Sequence, residues 1–268
     1  MSNSLKGKRA LITGSFQGIG LAVAKALAEE GASIVLHGIA NPEQVKEAEA
    51  QIKAAGASQV ESHISDLRGW SATESMLANV LSTGPVDILV NNAGIQHTAR
   101  IDEMPREKWN DIIAVNLSAM FDTMRLLLPQ MVDRGFGRVV NISSVHGLVA
   151  SLAKGPYVAA KHGVVGLTKV AALEYAEKGN PNQGGITINA ICPGWVETTL
   201  IEPQIQVRVD KHGGDRAKGI ADLLSEKQPS KRMSTPAEIG ALVLFLTSPL
   251  AHNITGASIP IDGGWTAQ

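Results

Sequence analysis

Short unbroken apolar runs alternate with longer stretches in which apolar residues recur every three or four positions, almost from one end of this chain to the other. Runs of the first kind stand at 10–12, 34–36, 88–90, 139–142 and 186–191, with a weaker one at 60–64 and a last one at 257–261. Most lack the polar alternation of a strand with one wet face, so strands covered on both sides are predicted. Stretches of the second kind, at 19–30, 42–55, 71–81, 106–133, 157–177 and 236–246, read as helices. The first of them runs into Gly31, the residue type that most readily closes a helix. Strand–helix alternation of this kind builds an α/β fold: a doubly wound, Rossmann-type parallel sheet with helices on both faces. No linker, repeat or low-complexity segment interrupts it, so residues 1–268 are read as a single catalytic domain. Two segments fall outside the pattern. Residues 179–185 (GNPNQGG) read as a surface loop, and 199–230, polar, irregular and weakly helical, as a mobile substrate lid or a solvated excursion.

Composition narrows the classes. Hydrophobic residues at 44% and charged ones at 18% fit a globular chain and not a disordered one. A net charge of -1 offers no electrostatic case for nucleic acid or an acidic membrane surface. No charged start followed by an apolar run marks a secretion signal, and no uninterrupted apolar stretch of about twenty residues is evident, so the cytoplasm is the expected location. The single cysteine, Cys192, excludes an internal disulfide and a thiolate cluster, and no metal site is expected.

Candidate chemistry gathers at the ends of the predicted strands. After the first comes Thr13-Gly14-Ser15-Phe16-Gln17-Gly18-Ile19-Gly20, where glycines would let backbone N–H groups approach a pyrophosphate at a helix N-terminus. No Lys-Ser/Thr follows the last glycine, so a P-loop is excluded. The second strand ends in Leu36-His37-Gly38-Ile39-Ala40, with no acid to hold ribose hydroxyls and no cation to hold a ribose phosphate, there or between Gly14 and Gly18. The missing cations favour NAD over NADP. Asp66-Leu67, after the third strand, offers either an adenine contact or a helix N-cap. Asn91-Asn92-Ala93-Gly94, after the fourth, is either a turn or a cofactor contact. Asn116 interrupts a strongly apolar helix and needs partners for its amide. Last, Tyr157 and Lys161 stand one helical turn apart, where an ammonium would lower the phenol's pKa and make it a usable base.

Together these residues resemble the short-chain dehydrogenase/reductase family over nearly the whole chain, from Leu5 onward. The resemblance implies Tyr157 as acid/base, Lys161 as the group that lowers its pKa and holds the nicotinamide ribose, Ser144 as the group orienting the substrate oxygen, and Asn116 as holder of a water joining Lys161 to solvent. It implies cofactor contacts at Gly14, Phe16, Gly18, Ile19, Gly20, Asp66, Leu67, Asn92, Tyr157, Lys161, Pro193, Val196 and Thr198. Within the family the likeness is to the D-3-hydroxybutyrate group, through NNAGIQHTA (91–99), HGLVAS (146–151), CPGWV (192–196), LLSEKQPS (223–230) and DGGWTA (262–267). That implies Gln96, His146, Lys154 and Gln204 around a small carboxylate, with Trp195 and Trp265 as an apolar wall for its methyl end. The expected reaction is reversible NAD-dependent oxidation of a short 3-hydroxy acid by a homotetramer, paired through the helices around Asn116 and Tyr157. Val164, Val165, Leu167 and Val170 would supply the surplus apolar surface. Alternatives are a related reductase of sugar acids or 3-oxoacyl thioesters and, from another class, a non-catalytic NAD-binding sensor.

Overall fold

The apolar runs become strands because neighbouring residues on each run are buried on opposite sides of one sheet. In the computed structural model, which describes residues 3–267, the strands are β1 (Arg9–Thr13), β2 (Ser33–Gly38), β3 (Val60–Ile64), β4 (Ile88–Asn91), β5 (Phe136–Ile142), β6 (Gly185–Pro193) and β7 (Ser258–Ile261). The sheet is parallel in every pair and ordered β3-β2-β1-β4-β5-β6-β7. Ile12, Leu36 and Val90 face one layer, which α1 (Gly18–Glu29), α2 (Pro42–Ala54) and the last helix of the chain cover through Val23, Leu27, Ile52, Ile239 and Val243. Leu11, Val35 and Leu89 face the other, against Leu77 of α3 (Trp70–Thr83) and, further along the chain, Met124, Leu127 and Ala171.

The predicted 106–133 segment is one continuous run of α4 (Arg106–Ile113), a π-helical turn (Ala114–Ser118) and α5 (Ala119–Asp133). By length and composition this 28-residue helix passes as one that could cross a membrane, but half of its most apolar window is buried here, as a core helix requires. A chain of buried polar groups joins it to the sheet. Thr123 donates to Asn91, Asn91 donates to Asn141, and Asn141 donates to Thr168 on α6 (Gly155–Tyr175), each at 2.8–2.9 Å. Such a chain resists sliding because breaking any link strands a buried polar group.

Residues 199–230 are not irregular. After a 3₁₀ turn at Thr199–Ile201 they form α7 (Glu202–Lys211) and α8 (Arg216–Lys227), which bury Ile205, Val209, Leu223 and Leu224 in a small core with Trp195 and Trp265. The apolar stripes are narrow and interrupted by charge, so the helices depend on this tertiary cluster more than on propensity. The 179–185 loop contains a 3₁₀ turn capped by Asn180, whose side chain accepts from the Asn182 amide. The final helix, α9 (Pro236–Thr247), starts with a Thr235–Glu238 capping box.

Candidate active site

Because every strand is parallel, the carboxyl ends of β1, β2, β4, β5 and β6 open along one edge. Strand order reverses between β1 and β4, the place where a crevice forms. A cleft of about 760 Å³ lies there. Of the catalytic, cofactor and substrate residues implied by the resemblance, all but Gly20, Asn116 and Gln204 line it.

One end is a cradle for an anion. Gly14 and Gly18 have positive φ (65° and 56°), and a Cβ on Gly20 would lie 2.2 Å from the Gly14 carbonyl oxygen. Helix α1 has no side-chain cap at Gln17, so its first N–H groups are open to a ligand at the positive end of the helix. The turn is clamped by Asn92, whose Nδ2 donates to the carbonyls of Thr13 and Gly14 at 3.0 and 2.8 Å. The Asn92 and Ala93 amides both donate to Thr13 Oγ1 at 3.0 Å. Asn92 therefore builds the turn as well as lining the cleft. These features fit the pyrophosphate of a dinucleotide.

At the outer end, Phe16 packs on Gly38 and Ile39 stands open. Asp66 is not a helix N-cap, since α3 begins after Gly69. Its carboxylate accepts from the Arg68 backbone amide (3.0 Å) and guanidinium (2.6 Å), which hold its pKa below the usual range. Arg68 lines the same wall and also lies 3.6 Å from Asp111. It is a cation at the adenosine end that the sequence reading overlooked.

Tyr157 and Lys161 share a face of α6, beneath the end of β5. Lys161 Nζ donates to the Ile142 carbonyl at 2.8 Å and lies 5.7 Å from the centre of the Tyr157 ring. The expectation that Lys161 depresses the phenol's pKa is corrected for this state: burial pushes Tyr157 up, opposed by the nearby Ser144 side chain, and burial brings Lys161 down to about 8. The ammonium points to a carbonyl beside the ring, so its field stabilises the phenolate less than an ammonium on the hydroxyl would. Asn116 lies in the π-helical turn, where its amide both accepts from Ile95 N–H and donates to Ile95 O at 2.8 Å. It fastens the segment after β4 to the helix.

The inner end is cationic. Lys154, 8% exposed, precedes α6 and donates to Gln204 Oε1 at 3.0 Å, with its ammonium 5.1 Å from the Trp195 ring centre. Burial, with Arg208 and Lys227 nearby, lowers its pKa to about 8. Gln96 Nε2 donates to the Leu200 carbonyl at 2.9 Å, a second tie to the segment leading into α7. His146 is packed edge-on between Tyr157 and Trp265. Burial, assisted by Lys154, Lys227 and His162, lowers its pKa to about 3, so the protonated imidazole is not its working form. Trp195 and Trp265 touch with ring centres 5.7 Å apart and make the apolar wall.

Residues 8–207 match the short chain dehydrogenase family. The chain belongs to that family. It is 48% identical over 266 residues to a D-beta-hydroxybutyrate dehydrogenase of Cupriavidus necator, covering 98% of this chain and all of the relative. It is 44% identical to the protein of the same name from Rhizobium meliloti (strain 1021), over 97% of this chain and 99% of that one. Among solved structures, actinorhodin polyketide ketoreductase with NADPH superposes with a TM-score of 0.88 at 32% identity, covering 97% of this chain and 98% of that one. Levodione reductase superposes at 0.87 and 31%, covering 98% and 99%. This short-chain dehydrogenase is thus an oxidoreductase working with a nicotinamide cofactor. Arg68 was not legible in the sequence because it follows the third strand, away from the second-strand and glycine turns, and reaches the cleft wall only in the fold. Likewise missed were Ser151, which meets His146 within its own loop, and Lys227, which reaches Ser151 only through the docking of α8.

Proposed function

We propose that this chain catalyses the reversible, NAD-dependent oxidation of D-3-hydroxybutyrate to acetoacetate. The observation that carries the reading is Lys154, a buried ammonium 6.0 Å from the Tyr157 ring centre. The acids of the cleft wall, Asp66 and Asp111, are at the other end beside Arg68. A small carboxylate meets a cation and no repelling charge there. Gln96 and Gln204, each now bonded to neighbouring protein groups, exchange those bonds for the carboxylate, with neutral His146 beside them. Trp195 and Trp265 receive the methyl end. Identities of 48% and 44% to relatives named for this activity, against 36% for an acetoacetyl-CoA reductase and 31–34% for solved gluconate dehydrogenases, support the same substrate.

Tyr157 takes the hydroxyl proton, Ser144 holds the oxygen in line with it, and Lys161 would hold the nicotinamide ribose. A bound nicotinamide cofactor would supply the hydride acceptor. Gly14, Phe16, Gly18, Ile19 and the α1 N-terminus, with Asn92, Pro193, Val196 and Thr198, would hold it, and Asp66 and Leu67 would flank the adenine. NAD is the proposed form: the second-strand turn carries no cation, and Arg68 is already engaged by Asp66 and Asp111. The 199–230 segment acts as the substrate lid, since Lys154 bonds to Gln204 on α7 and Gln96 to Leu200 just before it. A homotetramer is proposed, paired through α5 and α6. Val164 and Val165 do not supply its surface, being buried, whereas Phe121, Val170 and Leu173 are exposed. Cytoplasmic placement goes with these small soluble reactants.

The test is NADH formation by the purified protein with D-3-hydroxybutyrate, gluconate and a 3-hydroxyacyl thioester, repeated with NADP. Turnover of either competitor in preference to 3-hydroxybutyrate defeats the substrate assignment. Better kcat/KM with NADP defeats the cofactor assignment, and no turnover at all would favour a sensor.

A further inference from the structure

His146 is the midpoint of a run of polar groups leading from Tyr157 to α8. The Ser144 side chain acts on the Tyr157 hydroxyl, holding its pKa down against burial, and its Oγ lies 3.3 Å from His146 Nδ1. On the far side of the ring, Nε2 lies 2.9 Å from Ser151 Oγ. Ser151 Oγ in turn accepts from Lys227 Nζ at 3.3 Å. Ser144 and His146 are buried, whereas Ser151 and Lys227 are partly exposed, so the run begins in the reaction centre and ends at solvent. Each ring nitrogen faces a hydroxyl, and a hydroxyl both accepts and donates, which is what successive proton hops require. The ring is fixed by edge contacts with Tyr157 (5.8 Å between centres) and Trp265 (5.6 Å). Lys227 lies 5.8 Å from the Trp265 ring centre. Besides Tyr157, the charged or titratable groups acting on the imidazole are Lys154, Lys227 and His162, with no carboxylate among them to hold a proton on the ring.

We propose that Ser144, His146, Ser151 and Lys227 form a proton conduit that reloads Tyr157 during ketone reduction and drains it during alcohol oxidation. In the reducing direction Tyr157 gives its proton to the ketone oxygen and is left as a phenolate. The Ser144 O–H bond breaks as the proton passes to that phenolate, and Ser144 takes the proton from His146 Nδ1. His146 Nε2 takes the proton of Ser151, and Ser151 takes one from the Lys227 ammonium. One O–H or N–H bond forms for each that breaks, and the imidazole emerges in its other tautomer. The Lys227 amine left at the end recovers a proton from water, and the ring regains its starting tautomer before the next turnover. Oxidation runs the same hops in reverse. Ser151 and Lys227 act on the reaction through Ser144 and Tyr157 and touch no substrate.

The conduit rests on Tyr157 being the proton donor, as in the proposed function. Stopped-flow mixing of the NADH-loaded enzyme with acetoacetate, in weak buffer with a pH indicator, follows NADH loss and proton uptake together. In Ser151→Ala the first turnover of NADH loss should match wild type, because Tyr157 starts protonated. Proton uptake and later turnovers should slow by about tenfold or more. Ser151→Thr should restore both, and Lys227→Ala should show the same lag, relieved by added methylammonium. Proton uptake in Ser151→Ala that keeps pace with wild type overturns the conduit. So does a first turnover slowed together with a raised KM, which marks a structural role. Wild-type protein that does not consume NADH with acetoacetate would instead count against the functional reading.

Discussion

Replacing Lys154 with methionine tests the substrate assignment most directly. The substitution keeps the length of the side chain, suits a buried site against Trp195, and removes one charge. A charge-assisted hydrogen bond is worth roughly 1.5–3 kcal/mol, and each 1.4 kcal/mol is about a factor of ten, so kcat/KM for 3-hydroxybutyrate should fall about ten- to a hundredfold. The upper part of that range is expected. The ammonium already bears the cost of burial, visible in a pKa brought down to about 8, and water screens it little. Gln204 loses its partner in the same variant, so Gln204→Met is the control and should cost less, being a neutral amide. The assay is initial-rate NADH formation with 3-hydroxybutyrate and, in parallel, with 2-butanol, which has no carboxylate. Loss confined to the acid supports carboxylate recognition. An equal loss on both substrates would make Lys154 a structural residue and remove the main physical support for a hydroxy-acid substrate.

Three further outcomes follow from the same geometry. Since kcat/KM reports the free enzyme and the charged form of Lys154 binds the anion, the acid's kcat/KM relative to that of 2-butanol should be constant below pH about 8 and decline as pH rises above it. Lys161, also lowered to about 8, affects both substrates and cancels in the ratio, so a flat ratio to high pH would exclude Lys154. Tyr157→Phe should keep the fold, by circular dichroism, while turnover falls about 10²–10⁴-fold, and near-normal turnover would remove Tyr157 from the chemistry. Gly20→Ala places a methyl 2.2 Å from the Gly14 carbonyl and should lower thermal stability by about 1–3 kcal/mol while raising the cofactor's KM more than the substrate's. An unchanged melting temperature and KM would show that the turn has room to spare.

Much of the architecture was legible without coordinates, because it depends on local periodicity. All seven strands and the six helices of the alternating pattern lie within three residues of their expected bounds. Tyr157 and Lys161 share a face by helix geometry alone, and Thr13–Gly20 joins strand to helix by its glycines. The sequence by itself thus determined the layered fold, the edge at which the cleft opens and the residues that give the family its signature. Tertiary structure decided what depends on the company a side chain keeps. Only packing around Trp195 and Trp265 turns 199–230 into two helices, because their own stripes are too narrow to hold them. Burial, which sequence spacing does not report, raises the Tyr157 phenol and strips the charge from His146. Arg68 meets Asp111, Lys154 meets Gln204, and Lys227 meets Ser151 across 43, 50 and 76 residues of chain. Such pairings arise when separate elements dock, and no periodicity along the chain encodes them.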